Sequence, residues 1–320
     1  MKKILLNFVS ASALIITLFS CDKVENIYPT STFQTDLDTT FYPGNWSDYL
    51  ANEVPDFGSI TASPNRNAII EDFTGHNCSN CPQAATTAHN LHEGNPDRVF
   101  VASIHASPQG MSAFQATNNT YKTDFTNSVG LETGIYFGNL ANSGFAGNPS
   151  GSVNRVKAGT ATFYPAGAWS TKVSEVLAST LKVAMKSHLN YYEVTQGAYL
   201  HTEVEVLDNS LEGNLGMIVY LLEDSLVASQ NVSSVHVPDY VHRDIHRKNI
   251  SGQIWGRTLT PELKDENGKY YLDYSFAIPA QLTADGTATG IINAENMHLL
   301  IYVYDKTTNE IYQVIKQKIE

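Results

Sequence analysis

Residues 68–82 read AIIEDFTGHNCSNCP, and this stretch decides how the first half of the chain folds. The run that ends at Gly75 is typical of a buried strand. Pro82 is tolerated in the first turn of a helix, and the apolar residues that follow it share one helical face. The stretch therefore predicts a strand, a loop with a Cys-X-X-Cys pair, and a helix over residues 82–93.

The segments that follow extend this pattern. Residues 98–106, RVFVASIHA, are a second candidate strand, so strand, helix and strand predict a right-handed βαβ unit with a parallel pair. Apolar residues four apart, at positions 121, 125 and 129, predict one helix within residues 107–146. Residues 151–164 have the pattern of a β-hairpin, and an apolar face over 169–184 predicts another helix. We assign residues 67–186 to one α/β domain.

From residue 187 onward the apolar residues alternate with polar ones, which is typical of half-buried strands. The candidate strands are 187–194, 198–207, 215–227, 268–279, 295–305 and 310–319. Several strands without a long helical pattern predict an antiparallel β-sandwich over 187–320. The predicted fold class is thus α/β plus all-β.

Residues 1–20 have the pattern of a secretory signal peptide, because two lysines precede an apolar stretch too short and interrupted to span a bilayer stably. The sequence Leu-Phe-Ser-Cys that ends at Cys21 resembles the lipobox of bacterial lipoproteins. By this resemblance Cys21 becomes the lipid-carrying first residue of the mature chain. The alternative is an ordinary signal peptide with a cysteine there by chance. Residues 21–66 predict a tether and an irregular lead-in.

The composition argues against several classes of protein. A net charge of −12 over 320 residues disfavours nucleic acid as a partner. With 42% hydrophobic and 16% charged residues, the chain can bury a core. Three cysteines are too few for a fold held by many disulfides. If Cys21 carries lipid, only Cys78 and Cys81 remain, in an oxidising compartment where a disulfide persists.

The position of this pair indicates its chemistry. A thiolate at a helix N-terminus faces unpaired N–H groups and the positive end of the helix dipole, which lowers its pKa. Cys78, one turn further out, is predicted to be the exposed attacking thiol. Cys81 is predicted to resolve the mixed disulfide. The alternative is a structural disulfide without catalysis.

A zinc site is a second alternative, since Cys78, Cys81, His89 and His92 have suitable side chains. If the helix forms, however, His89 lies about 12 Å along its axis from Cys81 at 1.5 Å per residue. One zinc ion with bonds of about 2.0–2.3 Å cannot span that distance. We therefore expect no metal here, and no cofactor.

Three further histidines lie within HVPDYVHRDIHRK, at positions 236, 242 and 246. A metal-binding or pH-sensing cluster and an exposed basic loop both account for them. The sequence favours the exposed loop.

The residues around the cysteine pair resemble the redox loop of thioredoxin-like proteins, and residues 147–150, Gly-Asn-Pro-Ser, resemble their cis-proline loop. The resemblance covers roughly residues 67–184. It implies that the Asn148–Pro149 bond is cis and that Pro149 lies beside the cysteines and contacts substrate backbone.

The same resemblance assigns a role to Asp72, six residues before Cys78. In the family this position holds a buried acid that helps to deprotonate the resolving cysteine, here Cys81. The sequence departs from the family at Asn77, where tryptophan is usual, and in having Ser-Asn between the cysteines instead of Gly-Pro. These changes leave the redox potential and the choice of partner open.

The lipobox, the Cys-X-X-Cys motif and the β-rich C-terminal region together resemble the outer-membrane-protein-28 family of lipoproteins. That family pairs a thioredoxin-like domain with a β-sandwich. The resemblance implies an outer-membrane lipoprotein of the cell envelope, facing the periplasm or the outside and held in the membrane through Cys21. The predicted function is thiol–disulfide exchange with protein thiols or disulfides. The alternative is a surface lipoprotein whose sandwich binds a partner and whose disulfide is structural.

Overall fold

The computed structural model of the protein describes residues 37–281 and 292–320. The predicted signal peptide, Cys21 and the start of the predicted tether lie outside these residues. The helices of the described part are α1 Trp46–Asn52, α2 Cys81–Glu93, α3 Ser128–Asn139 and α4 Trp169–Ala178. The strands of its first part are β1 Ala68–Phe73, β2 Val99–Ile104, β3 Ser150–Val153, β4 Val183–Tyr192, β5 Gly197–Val206 and β6 Leu215–Glu223. The later strands are β7 Leu226–Val232, β8 Val235–His242, β9 Ile245–Asn249, β10 Arg257–Thr258, β11 Tyr270–Ala277, β12 Met297–Asp305 and β13 Ile311–Lys318.

The largest sheet has eight strands, seven of them in the order β13-β12-β6-β9-β2-β1-β3, with β10 paired to β6. β1 and β2 are parallel and are joined by α2, which confirms the predicted βαβ unit. Every residue of β1 is buried. One face of the strand packs under α2 and α4 in an apolar cluster that includes Ile70, Ala84 and Trp169. The end of β1 and the start of α2 are therefore fixed by packing, which positions the loop between them.

A second sheet consists of β11, β5 and β4, all antiparallel. Its apolar residues share one core with β6, β12 and β13, in which Leu200, Met217 and Leu299 are fully buried. The C-terminal region thus contains the two antiparallel layers that the alternating pattern predicted.

The predicted domain boundary after residue 186 falls inside β4, which already begins at Val183. α4 ends at Ala178 because Ser179 has extended backbone, and Val183 belongs to the core between the two layers. Strands from both predicted domains also share the largest sheet, since Ser103 of β2 pairs with Ile245 of β9. The division into domains stays a prediction, and a continuous sheet runs across it.

The helix predicted within residues 107–146 is α3. It begins at Ser128, because the side chain of Asn127 accepts a hydrogen bond from the Gly130 N–H at 2.9 Å and caps it. The hairpin prediction needs correction, since that segment forms only one strand, β3. Gly151 and Tyr164 exchange two backbone hydrogen bonds, at 3.2 and 2.8 Å, as an isolated bridge.

The interpretation of HVPDYVHRDIHRK as an exposed loop is wrong. β7 and β8 form a hairpin, residues 226–242, which is a two-stranded sheet of its own. β9 then enters the largest sheet between β6 and β2. As a result His242 and His246 are buried, at 5% and 1% exposure.

The described part of the lead-in packs against the second sheet. Tyr49 of α1 is fully buried, and its hydroxyl lies 2.5 Å from Nε2 of His201. Nδ1 of His201 in turn lies 2.8 Å from Oδ1 of Asp273. Within the described ranges, no helix is long and apolar enough to cross a membrane.

Candidate functional site

Cys78 and Cys81 form a disulfide where the loop after β1 enters α2, as the sequence predicted. Cys81 is the first residue of α2. Two turn hydrogen bonds shape the loop: the Cys78 N–H donates to the Gly75 carbonyl at 3.1 Å, and the Cys81 N–H donates to the Cys78 carbonyl at 3.2 Å. We call residues 75–81 the redox loop. The predicted exposure of Cys78 is wrong, since Cys78 is 2% and Cys81 1% exposed.

Asp72 lies on β1 with no exposed surface. Neither carboxyl oxygen has a hydrogen-bond partner in the described part of the chain. Burial without a compensating partner disfavours the charged carboxylate and raises the pKa of Asp72 to about 7. A buried acid with a raised pKa is what the sequence predicted at this position. The site thus holds a group that can gain or lose a proton near neutral pH.

The Asn148–Pro149 bond is cis, as predicted. Ser150, the next residue, pairs with Phe73 at the end of β1, so Pro149 lies at the same end of the sheet as the redox loop. The Asn148 side chain fixes this turn. Its Nδ2 donates to the Ala106 carbonyl at 2.8 Å, and its Oδ1 accepts a hydrogen bond from the Ser107 hydroxyl.

Sequence reasoning missed Gln115, which holds together three parts of the site. Its Nε2 donates to the carbonyl of Thr74 at 2.7 Å, and its Oε1 accepts from the hydroxyl of Ser107 at 3.0 Å. The neighbouring Phe114 carbonyl accepts the Asn77 N–H of the redox loop at 3.0 Å. No sequence signal identified Gln115, because a glutamine in a polar segment has no pattern of its own.

The hairpin of residues 226–242, also missed, lies against the redox loop. The Asn231 N–H donates to the His76 carbonyl at 2.8 Å, and the Ser233 N–H donates to the Ser79 carbonyl at 2.9 Å. The side chain of Gln230 donates to the Cys78 carbonyl at 3.3 Å. The hairpin is thus hydrogen-bonded to the loop that carries the disulfide, and the disulfide is buried.

A cavity of about 260 Å³ lies between α2, the end of β8 and the floor formed by β1 and β2. Asp72, Cys81, His105, Tyr240 and His242 contribute to its lining. Burial lowers the pKa of His242 to about 4 and holds the pKa of His105 well below its ordinary value, so both imidazoles are neutral at pH 7. The acid and the inner cysteine therefore line the same small cavity.

The other histidines singled out by the sequence have separate partners. His92 Nδ1 lies 2.6 Å from the Val99 carbonyl, His236 Nε2 3.0 Å from the Ser229 hydroxyl, and His246 Nε2 2.7 Å from Oδ1 of Asn249. Among the residues that the structure describes, no three His, Cys, Asp or Glu side chains are arranged to hold a metal ion.

Comparison with solved structures relates the fold to known proteins. HBP35 of Porphyromonas gingivalis is similar to this chain with a TM-score of 0.59 at 18% identity, over 81% of this chain and 77% of that one. This likeness concerns the fold alone. A domain of the outer membrane lipoprotein Omp28 from the same organism is 24% identical, over 44% of this chain and 91% of that one, with a TM-score of 0.29.

Among curated proteins, none matches the chain. The family described as outer membrane protein Omp28 matches residues 140–320, which is more than half of the sequence. The chain therefore belongs to the Omp28 family, and its predicted outer-membrane location is confirmed.

Proposed function

We propose that the Cys78–Cys81 pair exchanges thiols and disulfides with other proteins of the cell envelope, within a thioredoxin-like region over residues 67–186. The chain is held at the membrane by lipid on Cys21. The observation that carries this proposal is Asp72, a buried acid that has no hydrogen-bond partner among the described residues and lines the same cavity as Cys81. Burying such a group costs stability, and a purely structural disulfide does not require it.

The proposed reaction is balanced in atoms and electrons. In the reduced protein the Cys78 thiolate attacks a partner disulfide, forms a mixed disulfide and releases one partner thiolate. Asp72 takes the proton of Cys81, and the Cys81 thiolate attacks the Cys78 sulfur and releases the second partner thiolate. Two electrons pass to the partner, whose two sulfurs take up two protons, and the Cys78–Cys81 disulfide is restored. The reverse sequence oxidises a partner dithiol.

Pro149 and Asn148 complete the proposed site. By the resemblance to thioredoxin-like proteins, the backbone at Pro149 binds the partner segment that carries the reacting sulfur. The hydrogen bonds of the Asn148 side chain support this role, because they fix the turn at the end of the sheet where the redox loop lies.

A second candidate function has its own support. Both sulfur atoms are buried, which is what a structural disulfide requires. In that case the protein is a binding lipoprotein of the outer membrane, its two antiparallel layers engage a partner, and the cysteine pair only holds the start of α2.

The test is the thiol reactivity of the reduced protein, measured with a thiol-specific label on the variants Cys81→Ser and Cys78→Ser. An ordinary cysteine thiol has a pKa of about 8.5. We expect Cys78 in Cys81→Ser to label rapidly at pH 6, and Cys81 in Cys78→Ser to label slowly. Labelling of Cys78 only above pH 8 would contradict exchange and favour the structural disulfide.

A further inference from the structure

The tip of the hairpin, residues 230–234, is the feature with an unassigned role. In the described part of the chain β7 and β8 pair only with each other, so the sheet does not require the hairpin to lie where it does. Its tip nevertheless donates hydrogen bonds to carbonyls of the redox loop. These contacts hold a separate element against the disulfide.

The contacts are made by the backbone of the tip. The N–H groups of Asn231 and Ser233 donate to the carbonyls of His76 and Ser79. Because nearly every residue of a polypeptide has a backbone N–H, these two bonds do not depend on the side chains of Asn231 and Ser233. The redox loop therefore already has backbone acceptors that suit a polypeptide segment.

Side chains reinforce the same contact. Gln230 Nε2 donates to the carbonyls of Cys78 and Gly75, at 3.3 and 3.4 Å. Gln230 is itself 3% exposed and lines the cavity beside Cys81. The tip thus covers the disulfide and closes one side of the cavity.

The turn at the tip is strained. Ser233 and Ser234 have φ of 51° and 68°, the left-handed region that L residues other than glycine rarely adopt. Two consecutive serines there weaken the turn relative to glycines. The tip is therefore held partly by its contacts with the redox loop and is suited to leave it.

We propose that the tip occupies the place of a polypeptide partner, so that the redox-loop carbonyls of His76, Cys78 and Ser79 are an interaction surface that opens when the tip lifts. This inference rests on the proposed exchange function and names its partner class, a protein segment that offers backbone N–H groups to these carbonyls. A small thiol needs less of this surface than a protein does.

The experiment compares two reductants on the purified full chain: dithiothreitol and a reduced bacterial thioredoxin. The readout is the rate of disulfide reduction by thioredoxin divided by the rate of reduction by dithiothreitol. Gln230→Ala removes the side-chain bonds of Gln230 to the redox loop, and we expect the thioredoxin rate to rise roughly fivefold with little change for dithiothreitol. Ser234→Gly relieves the turn, and the same ratio should fall about threefold. Val227→Ala, on the exposed side of β7, is the matched control and leaves the ratio unchanged.

The outcomes separate the inference from the function. If both reductants act on the folded protein but neither variant changes the ratio, the tip is not a competitor and the exchange function stands. If neither reductant reduces the disulfide without unfolding, the exchange function fails. A mixed disulfide trapped between Cys78 of the Cys81→Ser variant and a cysteine-containing peptide tests directly whether the peptide displaces the tip. The amides of Asn231 and Ser233 should lose their protection from hydrogen exchange, and full retention would overturn the inference.

Discussion

At the scale of single residues, Asp72 is a buried acid without a compensating hydrogen bond. In the described part of the chain its carboxyl has no exposed surface and no hydrogen-bond partner, and burial raises its pKa to about 7. The folded protein therefore binds a proton more tightly than the unfolded chain, whose aspartate has a pKa of 3.8. Stability from this group is present at low pH and is lost as the pH rises from about 4 to about 7.

Asp72→Asn removes this dependence. We expect wild type and variant to have similar free energies of unfolding near pH 4. The variant should become more stable by about 3 kcal/mol between pH 5 and pH 8, at roughly 1.4 kcal/mol per pH unit up to the folded pKa. Urea unfolding of both proteins across this range measures the difference. A constant difference from pH 5 to pH 8 would contradict a raised pKa at Asp72.

At the scale of elements, α3 shows how small residues bring a helix onto the site. A Cβ at Gly134 would meet the Ser107 carbonyl oxygen at 2.5 Å, and one at Gly138 would meet the Pro108 carbonyl oxygen at 2.1 Å. The two glycines are one turn apart on one face, so α3 packs closely on the segment that bonds to Asn148.

Gly134→Ala tests this close approach. Alanine favours an isolated helix by up to about 1 kcal/mol, but here we expect a net loss of about 1–3 kcal/mol, because the methyl group overlaps the backbone at Ser107. The matched control is Gly130→Ala in the same helix, where the nearest atoms lie at 3.4 Å and stability should not fall. Thermal unfolding compares the two. Equal or higher stability for Gly134→Ala would refute the tight contact.

At the scale of the whole molecule, a hydrogen-bond network around one buried ion pair joins the two predicted domains. Arg155 donates two hydrogen bonds to Glu71 at 2.8 and 2.7 Å, and both side chains are almost fully buried. Tyr220 donates to Glu71 at 3.1 Å, and Arg155 donates to the Tyr302 hydroxyl at 2.9 Å. The pair belongs to the α/β region, but residues of β6 and β12 complete its hydrogen bonds.

Glu71→Gln leaves the Arg155 charge buried without its partner. We expect a loss of about 3–5 kcal/mol of unfolding free energy, the range for breaking a buried pair from one side. Glu175→Gln, in the exposed pair with Lys172, is the control and should cost at most about 0.5 kcal/mol. Guanidinium unfolding gives both values. A loss for Glu71→Gln as small as the control would show that the network does not hold the regions together.

The anchor also acts on the whole molecule. If Cys21 carries lipid, Cys21→Ser should move the protein from the membrane fraction to the soluble fraction or leave its signal peptide uncleaved, because the mature chain then lacks its acyl chains. Fractionation followed by immunoblotting measures this, with Cys78→Ser as a control that stays in the membrane. Normal retention of Cys21→Ser in the membrane would exclude the lipid anchor.

What the sequence determined by itself lies in local patterns. The βαβ unit and the position of Cys78 and Cys81 at the start of α2 follow from the spacing of apolar residues and the Cys-X-X-Cys motif. The buried Asp72 and the cis bond before Pro149 are implied by the resemblance to thioredoxin-like proteins. Strands β5, β6, β11, β12 and β13 lie in segments that the sequence predicted as strands, and β11 also shows the alternating burial of a half-buried strand. These features depend on neighbours within a few residues, so the sequence alone contains their signal.

The tertiary structure decided the rest, because it depends on pairing over long separations. β8 and β9 have polar, histidine-rich sequences with little alternation, and they are strands only because β8 pairs with β7, and β9 with β6 and β2. The cover over the disulfide arises from residues more than 150 positions along the chain. Cys78 is buried for that reason, although its own motif predicts exposure. A local pattern cannot encode which distant element will lie on it, since that choice is made by the packing of the whole chain.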